Sequence, residues 1–106
     1  MTVDLINENG RCRVRIEDEL TVYTASMISE SIRDALADHE VVAIDLAGVS
    51  EIDTAGLQML LVAKKEAALR NREVSFIGHN NVVMECLRLV NLASFFKFEA
   101  AAAQAA

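Results

Sequence analysis

The first third of the chain switches between two hydrophobic periods. "TVDLINE" alternates, with Val3, Leu5 and Ile6 as inward candidates. Asn9-Gly10 follows as a turn dipeptide, and "RCRVRI" then places Cys12, Val14 and Ile16 on one face and Arg11, Arg13 and Arg15 on the other. Period-two runs on either side of Asn-Gly predict an amino-terminal β-hairpin, with the arginines on a solvated face. After "EDEL" the period lengthens. Met27, Ile28, Ile32, Ala35 and Leu36 form the stripe of an amphipathic helix, with Thr24 or Ser26 as its cap and Glu30, Arg33, Asp34 and Asp38 facing water.

"VVAIDL" is apolar on both faces up to Asp45, which predicts a central strand covered on two sides. "TAGLQMLLVAKKEAALRN" is the next helix, "EVSFIGH" a strand closed by Gly78, and "NVVMECLRLVN" a third helix. "LASFFKFEA" is expected to end in an edge strand. The order β-β-α-β-α-β-α, with a possible last β, implies an α/β fold: a mixed, largely parallel sheet of four to five strands with helices packed on it. One domain is expected over residues 1–99, followed by an Ala-rich tail over 100–106.

Charge narrows the function classes. Ten Lys and Arg against sixteen Asp and Glu give a net charge of −6, so the basic footprint that nucleic acid requires is missing. No apolar run reaches the roughly twenty residues of a membrane span, and "MTVDLINENG" lacks the pattern of an export signal. Cys12 and Cys86 have no metal-ligand spacing and are expected as reduced core residues. His39 sits at a helix end and His79 in a loop, without partners at ligand spacing. A cytoplasmic protein without metal or cofactor is expected, with protein partners and a monomeric or weakly dimeric state.

The candidate chemistry lies at the seam "EIDTAGLQMLL". Asp53 stands where a carboxylate can cap a helix, and Ala55 and Gly56 allow close packing there. Asp-Thr-Ala also approaches the Asp-Thr-Gly of aspartic proteases, but a motif that opens a helix does not suit that all-β fold. As a third possibility, Thr54 is a hydroxyl in the first turn of a helix, where an added phosphoryl group faces unpaired N–H groups. The apolar run Leu57 to Ala63, broken only by Gln58, exceeds one core stripe, so part of it is a candidate docking face. Burying a phosphate there would cost enough to abolish a micromolar complex.

"VVAIDLAGVSEIDTAGLQMLL" together with "VSFIGHNNVVMECLRLVNLASFF" resembles the STAS domain, the family of anti-sigma factor antagonists and of sulfate-transporter tails. The resemblance implies a non-catalytic protein that binds an anti-sigma factor, itself a serine/threonine kinase. That partner phosphorylates the hydroxyl after the motif Asp, and a phosphatase restores it. Carried onto this chain, Thr54 is the phosphoacceptor, Asp53 and Gly56 shape the helix start, and Leu57, Gln58 and Leu61 are partner contacts. Two features depart from the pattern: Thr-Ala replaces the frequent Ser-Ser, and "EDEL" lacks the glycine often found before Glu-Leu. Asp-Thr-Ala-Gly also resembles constitutive subunits of lipid-transport ABC ATPase complexes, and the chain looks like stand-alone adaptors of chemotaxis or two-component signalling. Nucleotide binding is not expected, since no Walker-type loop is present.

Overall fold

A computed structural model describes residues 3–8, 11–78 and 80–89. The elements are β1 (Val3–Glu8), β2 (Arg11–Leu20), α1 (Ala25–Asp38), β3 (Val41–Ile52), α2 (Thr54–Leu69), β4 (Glu73–Ile77) and α3 (Asn81–Leu89). The strands lie in the order β1-β2-β3-β4. β1 runs antiparallel to β2, starting from Glu8 opposite Arg11, whereas β3 is parallel to both β2 and β4. The mixed, largely parallel sheet is thus present. The Asn9-Gly10 turn, His79, the fifth strand and the tail lie outside the described residues.

The register explains the core. Val14 pairs with Ile44 and Ile44 with Phe76, so one row of side chains crosses three strands. Cys12, Val14, Ile16, Val42, Ile44 and Phe76 are all buried there. From the helices, Ile28, Ile32, Ala35 and Leu36 of α1 and Leu57, Met59, Leu60, Ala63 and Ala67 of α2 complete the cluster, with Val83 and Leu87 of α3. Core volume is filled by aliphatic side chains because the sequence supplies few aromatics.

Three expectations are corrected. Leu5 shares a sheet face with Val14 but is 53% exposed, because β1 is an edge strand. Met27 is 41% exposed, so the buried stripe of α1 begins at Ile28. The arginine face is not freely solvated. Arg13 bridges to Glu8 and to Asp45, each at 3.0 Å, and Arg15 reaches Asp4 at 3.2 Å. Asp45 is itself buried and also accepts the Ala47 N–H at 3.0 Å, so its charge is matched from two directions.

Strands β2 and β3 are longer than their apolar cores. β2 continues through "EDEL" to Leu20, with register shifts between Arg15 and Glu17 and between Asp18 and Glu19. Asp18 takes a φ of 70° at that irregularity, the left-handed conformation in which glycine is the default residue. Asp18 stands directly before Glu19-Leu20, where the resemblance implies a glycine. At the far end of α2, Asn71 has a φ of 55°, and Arg72 N–H bonds Ala67 O at 2.8 Å while Asn71 N–H bonds Ala68 O at 3.2 Å. This pair of bonds is a Schellman motif with asparagine in the glycine position, and it turns the chain into β4.

Candidate functional site at the start of α2

The end of β3 delivers Asp53 in an extended conformation, and α2 begins at the next residue. Both carboxylate oxygens of Asp53 are used. One accepts the Gly56 N–H at 2.9 Å, the ordinary N-cap bond. The other accepts the Val22 N–H at 3.0 Å, from the loop between β2 and α1. These backbone donors, Gly56 before Val22, hold the Asp53 carboxyl below its usual range. The charge also sits at the positive end of the helix dipole.

Gly56 is fixed by contact rather than by torsion. A Cβ built on it would fall 2.0 Å from Leu20 O and 2.8 Å from Leu20 C. The backbone of α2 therefore rests directly on the end of β2, and Asp53 N–H reaches the same carbonyl at 3.3 Å. Any side chain at Gly56 would push the helix start away from the sheet. The two contacts place the α2 terminus and the β2–α1 loop side by side.

Thr54, the first residue of α2, is exposed. Gln58, one turn on, is exposed too, and Leu61 is half-buried against the core. Leu57 departs from expectation: at 4% exposure it belongs to the core and does not face outward. Further along the helix Val62 is 50% exposed. The apolar run is thus divided, with Leu57, Met59, Leu60 and Ala63 buried and only Leu61 and Val62 partly open.

Hydrophobic period does not reveal the residues of the β2–α1 loop. Val22 is 61% and Tyr23 89% exposed, while Thr21 beside them is buried. The Thr21 hydroxyl donates to Glu19 at 2.6 Å, and its carbonyl accepts from Thr24 and Ala25 as α1 begins. Thr24 is the residue at the α1 cap position, but its hydroxyl turns back to Glu19 O at 2.9 Å and makes no cap bond. The signal in the sequence was the isolated pair Val22-Tyr23 between two threonines, which has no periodic reason to be buried.

Elsewhere the residues with chemical potential have structural duties. His39 follows α1, and its Nδ1 lies 3.1 Å from Ala35 O. Asn80 caps α3 through its Oδ1 and ties that helix to Ala47 O and Val49 O of β3 through Nδ2. Cys12 is in the core, where burial raises its thiol pKa, and Cys86 is half-buried; both are free. Among the described residues no group of three His, Cys, Asp or Glu side chains could hold a metal ion, and no helix is long and apolar enough to cross a membrane.

A parallel strand, a helix opened by Asp-Thr-Ala-Gly and a Gly–backbone contact at its first turn meet a family model described as "Mlab, STAS domain", which matches residues 5–97. The chain belongs to the STAS domain family. Solved structures share the fold at low identity. An anti-sigma factor antagonist from Mycobacterium paratuberculosis is 19% identical with a TM-score of 0.81, over 93% of this STAS domain and 85% of that chain. A putative anti-sigma factor antagonist from Thermotoga maritima is 18% identical with a TM-score of 0.79, over 91% and 84%. The Bacillus cell fate determinant SpoIIAA in its phosphorylated form is 13% identical with a TM-score of 0.69, over 92% and 91%.

Proposed function

We propose that this STAS domain is a non-enzymatic regulator that binds a protein partner through the surface around the start of α2, and that phosphorylation of Thr54 releases the partner. The partner class is an anti-sigma factor that is also a serine/threonine kinase, with a phosphatase reversing the mark. In the forward step the Thr54 hydroxyl oxygen bonds to the γ-phosphorus of a nucleoside triphosphate, the bond to the β-phosphate oxygen breaks, and the hydroxyl proton is lost. The observation that carries this reading is the exposure of Thr54 as the first residue of α2, next to a carboxylate held ionised by backbone donors.

Thr54, Gln58 and Leu61 form the contact face, with Val62 at its edge, and Leu57 supports it from the core. A phosphoryl group at Thr54 would bring close to two negative charges into that face. Facing an apolar or acidic partner surface, they would lack partners and weaken the complex. The related antagonist studied in phosphorylated and unphosphorylated forms supports the choice of switch.

Binding of a purified candidate kinase to wild type, Thr54→Ala and Thr54→Glu tests the reading. Wild type and Thr54→Ala should bind alike, and Thr54→Glu at least tenfold more weakly; equal binding by the Glu variant would sink the charge gate. A second reading keeps the face and removes the switch: a constitutive subunit of a lipid-transport ABC ATPase complex. It is favoured by the Asp53-Thr54-Ala55-Gly56 motif, which resembles that of such subunits. Under it, all three proteins would co-purify with an ATPase in equal amounts.

A further inference from the structure

Asp53 does more than cap a helix. A cap needs one acceptor, and the Gly56 N–H supplies its donor; the second oxygen reaches across 31 positions of sequence to Val22 N–H. Val22 and Tyr23 are the most exposed residues of their loop, so their own side chains do little to hold them in place. The Asp53 bond fastens Val22 next to Thr54, Tyr23 N–H donates to the Thr21 hydroxyl at 3.3 Å, and the bonds of Thr21 and Thr24 to Glu19 fix the residues on either side.

The local charges define what a phosphate on Thr54 would meet. From Ile16 to Ile32 and from Glu40 to Ala63 the chain contains no Lys, Arg or His, but does contain Glu17, Asp18, Glu19, Glu30, Glu40, Asp45, Glu51 and Asp53. The backbone donors nearest Thr54 are the N–H groups at the α2 terminus, one of which Asp53 already occupies. A dianion there competes for those donors and repels the adjacent carboxylate.

We infer that Asp53 is a positioning residue that couples the charge state of Thr54 to the Val22–Tyr23 segment: phosphate on Thr54 displaces the Asp53 carboxylate from Val22 N–H and frees that loop. The inference rests on phosphorylation as the regulating event, and it deepens that reading by naming a second surface that the mark alters. Tyr23 is the chain's one tyrosine, and there is no tryptophan. Its fluorescence therefore reports this loop alone.

The test uses full-length protein carrying phosphothreonine at position 54 by genetic encoding, compared with unmodified protein and with Asp53→Asn in both states. Amide exchange by NMR and tyrosine anisotropy are the readouts. Phosphorylation should speed exchange at Val22 by roughly tenfold, the scale of losing one charge-assisted bond, and lower Tyr23 anisotropy, with Val42 and Ile44 of β3 unchanged. Asparagine retains one acceptor and so can keep the helix cap. In Asp53→Asn the Val22 amide should already exchange fast, and phosphate should add nothing. Unchanged Val22 exchange in the phosphoprotein would overturn the coupling, as would an equal phosphate effect in Asp53→Asn. A cell that never phosphorylates Thr54 would defeat the proposed switch and leave this result standing.

Discussion

Asp18 shows how a single torsion becomes a measurable quantity. Its φ of 70° costs an L-residue about 1–2 kcal/mol, while glycine in the unfolded chain has about 0.5–1 kcal/mol more entropy to lose. Asp18→Gly should therefore gain about 0.5 kcal/mol and raise the midpoint of thermal unfolding by about 3 °C. Calorimetry of the two proteins checks this. Asp53 gives a pH signature of the opposite kind. Its folded pKa is depressed, so its stabilising contribution is full above the unfolded value near 3.9 and is lost as pH falls through the folded one. Urea titrations at stepped pH should show wild type losing stability below about pH 4 more steeply than Asp53→Asn. Equal slopes would mean that the two backbone bonds stabilise the carboxylate no more than its protonated form.

The elements differ in how far the sequence betrays them. Strict alternation in "RCRVRI", the doubly apolar "VVAIDL" and the cap at Asp53 all correspond to observed structure, since local period and capping chemistry act over a few residues. What stayed hidden depends on neighbours far along the chain. Leu5 has a core-like pattern but an edge position, and Leu57 looks like a contact until α2 is seated on the sheet. The second Asp53 bond, to Val22, and the contact between Gly56 and Leu20 could not be read from spacing at all. Gly56→Ala tests the latter. With a Cβ aimed at Leu20 O, α2 must lift or tilt, and a loss of about 3 kcal/mol in urea denaturation is expected. Asn71→Ala at the other end of α2 should cost about 1 kcal/mol, and Asn71→Gly should not.

Across the whole molecule, two ion pairs bind layers of different kinds and should differ in weight. Arg33 and Glu66 join α1 to α2 at 3.4 Å with the arginine 53% exposed, so Arg33→Ala should change stability by less than about 0.5 kcal/mol. Arg13 and Asp45 join β2 to β3 with the aspartate side chain only 10% exposed, and Arg13→Ala should cost about 2 kcal/mol by stranding a buried carboxylate. Chemical denaturation of both variants decides whether burial sets that ranking. The bare contact of α2 on the Leu20 carbonyl carries one more consequence, for kinetics. Backbone pressed on backbone fixes the position of the helix start, so under the proposed function a docking partner would meet a backbone that already has its final shape. Stopped-flow traces should then be single exponentials whose rate climbs linearly with ligand concentration, without the plateau that a slow isomerisation would impose.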